Sequence, residues 1–245
     1  AEGYRELVLT GIEISSWGQE WKDGLTLTDL VEAICAAAPD CRIRLGSLEP
    51  RTVTEDFCRR LSSLHNLCPH FHLSLQSGCD ATLKRMNRKY DTARYLESVH
   101  LLRRYFDRPG ITTDLIVGFP GESEEEFTST LAFLEECAFS AIHIFPYSKR
   151  PGTPAATMAH QVPRAEKEAR AHRAAQVMET LRKQYLQSWV GHSLPVLFEE
   201  EKAGAWRGHA PNYVEVKVAS TECLHNIEKT VTITGVSGAS LLGEV

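Results

Sequence analysis

The sequence predicts an α/β fold: a partial, open parallel β/α barrel followed by a small all-β barrel. Strand and helix patterns alternate five times within about the first 190 residues, and such alternation gives parallel strands joined by right-handed crossovers. From Gly191 onward the helical patterns stop, and short alternating strands follow between turn residues. We therefore expect one domain over residues 1–190 and a second over residues 191–245.

The predicted strands of the first domain are short apolar or alternating runs bounded by turn residues. They cover 6–10, 42–47, 72–76, 113–118 and 141–146. The predicted helices cover 28–37, 54–65, 80–86, 92–106, 124–137 and about 164–189. A complete eight-stranded barrel needs about 250 residues, so this one is expected to be open. A doubly wound open sheet is the alternative.

The second domain contains short strand patterns at 195–199, 208–209, 213–218 and 231–234. Small barrels of this kind often bind RNA. Residues 191–245 carry seven acidic and four basic side chains, however, so their charge does not by itself indicate phosphate binding.

Composition indicates a globular, cytoplasmic protein that does not enter a membrane. The chain is 42% hydrophobic and 24% charged, with a net charge of −5, and no apolar run approaches the roughly 18 residues of a membrane helix. Seven cysteines without a CxxC or CxxxC pair favour reduced thiols, so no metal ligand is assigned. The chain does not begin with Met, and we expect it to be a piece of a longer protein.

Basic residues concentrate in 82–108 and 148–183, each with eight Lys or Arg against three acids. They predict either a local phosphate-binding face or solvated helix surfaces.

Polar groups and glycines follow every predicted strand of the first domain, and in a barrel these ends meet at one mouth. The sequence 113–127, TDLIVGFPGESEEEF, is the clearest case: a strand, a Gly-Pro turn and a helix start with a Ser123–Glu126 capping box. It is either an ordinary turn or a ligand site, and a phosphate ester at Gly118–Gly121 is one candidate ligand. No hydrolase triad, HExxH or Walker pattern is present. His143 is interpreted as a core or lining residue.

Six segments together resemble one enzyme family. They are VLTGIEISSWG, RIRLGSLEP, HLSLQSGCDATLKRMNRKY, TDLIVGFPGESEEEF, FPYSKRPGTPA and LFEEEKAGAWRGHAPNYVEVKV. In order and spacing the first five resemble the radical S-adenosylmethionine methylthiotransferases, and the sixth resembles that family's C-terminal RNA-binding TRAM barrel. LTGIEISSWG and RLGSLEP are most similar to the branch that acts on threonylcarbamoyladenosine in tRNA. The alternatives are a sister branch, acting on isopentenyladenosine in tRNA or on a ribosomal protein, and a non-catalytic RNA-binding scaffold.

The resemblance implies methylthio transfer to tRNA beside the anticodon, with S-adenosylmethionine and two 4Fe–4S clusters as cofactors and an electron donor as partner. The family's cluster ligands, a CxxxCxxC triplet and three further cysteines, precede the first strand of this chain and are absent from it. We therefore expect this chain alone to be inactive.

The resemblance also implies individual contacts at the strand ends. The cofactor-binding set is Thr10, Gly11, Ser47, Glu49, Ser74, Gln76, Arg88, Ile116, Gly118 and Phe119. Tyr147 and Ser148 are expected near the substrate.

Overall fold

The computed structural model describes residues 3–21 and 24–245, and in this part of the chain the first domain forms an open sheet of parallel strands. The strands are β1 (Glu6–Leu9), β2 (Arg42–Leu45), β3 (Ser47–Leu48), β4 (His70–Leu73), β5 (Gly110–Val117) and β6 (Ala141–Pro146). β1 pairs with β2, and β3, β4, β5 and β6 pair in that order. β2 and β3 are two parts of one extended segment interrupted at Gly46. A parallel bridge from Ile43 to Leu67 joins β2 to the segment before β4.

No pairing within 3–21 and 24–245 closes β1 onto β6, so the predicted open parallel barrel is confirmed. β4 begins two residues earlier and ends three residues earlier than the sequence pattern predicted. The chain leaves the regular ladder after Leu73 and rejoins β5 through a bridge between Gln76 and Leu115.

Helices follow the strands in the described residues as the alternation predicted. They are α1 (Leu27–Ala37), α2 (Glu55–Leu61), α3 (Asp80–Arg85), α4 (Thr92–Tyr105), α5 (Glu124–Cys137), α6 (Pro154–Thr157) and α7 (Arg164–Gln187). Thr26, with Asp29, forms the capping box of α1, and Ser123, with Glu126, forms that of α5. α2 ends four residues earlier than predicted.

The two faces of the sheet differ sharply because side chains alternate along a strand. One face carries fully buried apolar residues such as Phe71, Leu73 and Leu115, which join the helices in one core. The other face is the concave inner face of the open barrel, and the space that it borders is called the lumen. Polar side chains on this face, including Arg44, His70 and Thr112, surround a cavity of about 450 Å³.

Residues 193–245, all of them described, contain a closed barrel of five strands. These are β7 (Ser193–Lys202), β8 (Ala205–His209), β9 (Glu215–Val218), β10 (Glu228–Ser237) and β11 (Ser240–Glu244). The predicted small all-β barrel is therefore confirmed, although β11 was not predicted. Its own core includes Leu186, in the last turn of α7, and Trp189, just after that helix. Because the packing of these two residues crosses the proposed boundary, the division at residue 190 stays a prediction.

The small barrel covers the amino-terminal end of the parallel sheet. Arg44, 3% exposed, donates to the carbonyl of Pro211 (2.8 Å), pairs with Glu6 (2.6 Å) and lies over the ring of Tyr213 (4.7 Å). Arg42 donates to the carbonyl of His209 (2.9 Å). The small barrel leaves the opposite end of the sheet uncovered. This is the end at which the carboxyl ends of the parallel strands lie, and it is the end available to ligands.

In the described residues, no helix combines the length and the hydrophobicity needed to cross a membrane.

Candidate functional site

Backbone hydrogen bonds join the carboxyl ends of neighbouring strands into one rim. The Gly46 amide donates to the Leu9 carbonyl (2.7 Å), and the Ser74 amide donates to the Leu48 carbonyl (3.1 Å). At the last two strands, the Tyr147 amide donates to the Val117 carbonyl (2.9 Å). The structure thus brings the predicted strand ends together at one edge, as the carboxyl ends of parallel β/α strands do.

The predicted residues occupy this rim with different accessibility. Thr10, Gly11, Ser47, Arg88 and Ser148 are exposed, and Glu49, Ser74, Gln76, Ile116 and Tyr147 are half-buried. Gly118 and Phe119 are buried. Their contacts with a cofactor or substrate stay predictions.

Gln76 has an unusual backbone conformation for a residue with a side chain. Its φ of 69° lies in the left-handed region, which costs about 1–2 kcal/mol for a non-glycine residue. Two hydrogen bonds hold it there: its amide donates to the Asp114 carbonyl, and its carbonyl accepts from the Ile116 amide, each at 2.9 Å. Backbone strain of this kind concentrates at ligand sites.

Tyr90 holds the backbone of the rim at Ser74 and Leu75, and the sequence analysis did not predict it as a site residue. Its hydroxyl donates to the carbonyl of Ser74 (2.7 Å) and lies 3.1 Å from that of Leu75. Burial raises the pKa of Tyr90 to about 12, while Arg88 lowers it and Glu49 raises it.

The turn after β5 does not offer the free amides that a phosphate needs. The Gly118 amide donates to the Glu122 carboxylate (3.0 Å), the Gly121 amide to the His160 carbonyl (2.9 Å) and the Ser123 amide to the Glu126 carboxylate (3.1 Å). Because these donors are already satisfied and the first turn of α5 is acidic, the phosphate-ester hypothesis for Gly118–Gly121 is not supported.

Helix α7 fixes this turn through a buried ion pair. Arg170 and Glu122, each with a side chain 3% exposed, lie 2.7 Å apart, and Arg170 also pairs with Glu166. One turn away, the Lys167 ammonium donates to the Tyr147 carbonyl (2.8 Å). Sequence reasoning missed these residues because α7 is separated by more than 40 residues from the turn that it holds.

The basic stretch 82–108 is largely used inside the protein. Arg85 pairs with Glu126, Arg94 donates to the Val53 carbonyl (2.8 Å) and Arg103 donates to the Cys137 carbonyl (2.6 Å). These contacts favour a structural role for the stretch over a phosphate-binding face.

The cysteines do not form a metal or cluster site. All seven lie in the described residues and are free, and the one potential ligand group found there consists of His72, Asp114 and His143. Burial raises the pKa of the Cys58, Cys68 and Cys137 thiols to about 12, so these side chains behave as small buried hydrophobes. The residues of this chain therefore do not fit an iron–sulfur cluster.

Residues 1–134 match the sequence model of the Radical SAM superfamily. The chain belongs to that superfamily. The structure agrees at the level of fold. It superposes on coproporphyrinogen III oxidase from Escherichia coli with a TM-score of 0.51 and 12% identity, covering 75% of this chain and 51% of that one. The Elp3 protein of Methanocaldococcus infernus gives a TM-score of 0.51 at 15% identity, covering 83% and 64%.

Several curated relatives of this Radical SAM chain are named as tRNA-modifying enzymes. The threonylcarbamoyladenosine tRNA methylthiotransferase of Bacillus subtilis is 37% identical over 225 residues, 90% of this chain and 50% of the relative. That of Chlamydia pneumoniae is 35% identical, with 100% and 58% covered. A tRNA-2-methylthio-N(6)-dimethylallyladenosine synthase from Thermobifida fusca is 38% identical, with 82% and 40% covered. The chain thus spans about half the length of these relatives.

Proposed function

We propose that this chain is the barrel and C-terminal part of a tRNA methylthiotransferase that modifies threonylcarbamoyladenosine beside the anticodon. The observation that carries the proposal is the single rim of strand ends, built from the same segments that resemble this enzyme family. Relatives in two bacteria that share 35% and 37% of their aligned residues with the chain carry that activity in their names.

S-adenosylmethionine is the cofactor proposed for the rim. Its methionine part carries an ammonium and a carboxylate, and Arg88 is the proposed partner of the carboxylate through its two-pronged guanidinium. The hydroxyl of Tyr147 is buried without a hydrogen-bond partner among the described residues, and it packs edge-on against Phe119 with ring centres 5.3 Å apart. A bound polar ligand would supply that partner.

The iron–sulfur clusters belong to the longer protein in this proposal, since the cysteines present here do not fit one. A 4Fe–4S cluster bound in that protein, reduced by an electron donor, would supply the radical chemistry on the cofactor. The residues of this chain bind and orient the cofactor and exclude water. The C-terminal barrel is proposed to contact tRNA.

Cofactor binding is tested by equilibrium dialysis of the 245-residue chain with labelled S-adenosylmethionine. Arg88→Gln removes the proposed partner of the carboxylate, and a charge-assisted hydrogen bond contributes about 1.5–3 kcal/mol, so affinity should fall at least about tenfold. Arg59→Gln is the matched control, because Arg59 is exposed on α2 and paired with Asp56. Equal affinity of the Arg88 variant and the wild type would show that this side chain does not hold the carboxylate.

The substrate is tested by mass spectrometry of tRNA nucleosides from a strain lacking the gene that encodes this chain. We expect the methylthio group to disappear from threonylcarbamoyladenosine. Its disappearance from dimethylallyladenosine instead would assign the chain to the branch of the Thermobifida fusca relative. No change in either nucleoside would favour a non-catalytic RNA-binding scaffold.

A further inference from the structure

The lumen contains a group of three side chains that the proposed reaction does not use. His72 on β4, Asp114 on β5 and His143 on β6 each offer a ligand atom, and these atoms all lie within 4.8 Å of one another. The strand register explains the grouping: Asp114 is paired with His143, and His72 is paired with Thr112 two residues before Asp114. Parallel neighbours therefore present the three side chains on the same face of the sheet, where His72 and His143 line the cavity.

We propose that His72, Asp114 and His143 form a binding site for one divalent transition-metal ion, with open coordination positions facing the lumen. Two imidazoles and one carboxylate are a donor set that suits Zn²⁺, Fe²⁺ or Co²⁺ rather than Mg²⁺. Metal–ligand distances of about 2.0–2.2 Å require the three ligand atoms to move closer together. His143 is exposed to the cavity, so its ring can turn towards the other two without displacing core atoms.

The hydrogen bonds around His72 prepare it as a ligand. Its Nδ1 lies 3.0 Å from the Thr112 hydroxyl, which also lies 3.2 Å from Nε2 of His70. In the proposed site the Thr112 hydroxyl accepts the Nδ1–H of His72, which is within the capacity of a hydroxyl oxygen. The lone pair of His72 Nε2 then faces the Asp114 carboxylate at 3.4 Å, and a cation between these two acceptors removes their repulsion.

One further distance agrees with this arrangement. The separation of 3.4 Å between His72 Nε2 and the Asp114 carboxylate is longer than a normal N–H···O bond of about 2.7–3.2 Å, so no tight hydrogen bond joins these two groups. Thr112 serves as the outer partner that orients the His72 ring.

The site is distinct from the cluster chemistry of the superfamily because it contains no thiolate. It also lies one layer below the rim, towards the end of the sheet that the small barrel covers: His72 and Asp114 each precede the strand end by at least one residue. The cavity of about 450 Å³ beside it leaves room for water or a small ligand on the metal.

The test is titration of the 245-residue chain with Co²⁺ and Zn²⁺, followed by visible absorption and calorimetry. We expect one Co²⁺ per chain, with d–d bands and without the near-ultraviolet band of a thiolate ligand. His143→Gln and Asp114→Asn should each weaken binding at least tenfold. Thr112→Val, which removes only the orienting hydroxyl, should weaken it about 10-fold to 100-fold.

His100→Gln is the matched control, since His100 is an exposed imidazole on α4, and its affinity should equal that of the wild type. Circular dichroism verifies that each variant is folded. Unchanged stoichiometry and affinity in the His143 and Asp114 variants, or a thiolate band with Co²⁺, would overturn the proposal. Imidazole ¹⁵N resonances of the unmutated chain give a second measurement: Zn²⁺ must shift those of two histidines, and a spectrum without such shifts refutes the site.

Discussion

At the scale of single residues, the protein combines exposed rim groups with deeply buried charges that form ion pairs. The Glu122–Arg170 pair is the clearest case. Burial raises the pKa of Glu122, although the Gly118 amide and Arg170 act in the opposite direction. Burial therefore disfavours the ionised carboxylate of Glu122, and the Gly118 amide and Arg170 stabilise it.

Removing Arg170 should leave an uncompensated charge inside the fold. We expect Arg170→Met to lower the free energy of unfolding by about 3–5 kcal/mol at neutral pH, measured by urea denaturation. Arg164→Met on the same helix is the control, because Arg164 is 90% exposed in its pair with Glu168. An exposed pair of this kind contributes at most about 1 kcal/mol.

The pH dependence of the Arg170 variant has a definite sign. Loss of the cation raises the folded-state pKa of Glu122 further above its unfolded value, so the protonated carboxyl is the form that the folded state prefers. The variant is then most stable below the ordinary pKa of a glutamate, and it loses stability as pH rises through the raised folded value. The difference from wild type should be larger at pH 8 than at pH 5. A difference that is independent of pH would contradict the buried-charge explanation.

At the scale of elements, local signals fix where helices begin. Thr26 and Asp29 form the capping box of α1, and the Thr26 amide donates to the Asp29 carboxylate at 2.7 Å. Arg60 from α2 also donates to Asp29, at 2.7 Å. These hydrogen bonds, of which the one from Arg60 has the largest effect, hold the pKa of Asp29 well below its usual value. The same carboxylate therefore caps one helix and ties it to the next.

Asp29→Ala should destabilise the protein by about 1 kcal/mol at pH 7, measured by chemical denaturation. Because the folded-state pKa of Asp29 is lowered, its contribution is present above the ordinary aspartate pKa and is lost as pH falls towards the folded value. The gap between variant and wild type should therefore shrink below about pH 4. Asp40→Ala is the control, because Asp40 is exposed and lies outside the helices, and its free energy of unfolding should equal that of the wild type. If the difference between the Asp29 variant and the wild type stays constant with pH, Asp29 does not have the capping role.

Element boundaries also show the limit of local signals. The sequence pattern predicted a strand through Gln76, but the regular strand ends at Leu73, and the chain reaches Gln76 in a left-handed conformation. The alternation of polar and apolar residues does not predict the positive φ of Gln76. That conformation is imposed by backbone hydrogen bonds to Asp114 and Ile116 on a neighbouring strand.

At the scale of the whole molecule, the two barrels are joined by a close contact at the amino-terminal end of the parallel sheet. A β-carbon at Gly110 would overlap the carbonyl oxygen of Asn212 in the small barrel. Arg44 and Arg42 bond to carbonyls of the same barrel. This contact closes one end of the lumen and leaves the rim at the other end open.

Gly110→Ala should push the small barrel away from the sheet. We expect faster limited proteolysis of the connection between α7 and β7, with little change in secondary structure by circular dichroism. Gly235→Ala is the matched control, because a β-carbon there meets nothing within 4 Å and the backbone does not require a glycine conformation. Equal cleavage rates for both variants would show that the contact at Asn212 does not hold the two parts together.

The sequence by itself determined the open parallel barrel, the small second barrel and the membership of the chain in the Radical SAM superfamily. The two barrels follow from periodicity, caps and turn residues, which act over a few positions, and the superfamily follows from the match of residues 1–134 to its sequence model. Only the tertiary structure decided that Arg170 holds the turn after β5, that the turn's amides are already satisfied and that the ligand atoms of His72, Asp114 and His143 lie within 4.8 Å of one another. Such groupings depend on the register between strands and on helices distant in the chain, and no local pattern of residues encodes them.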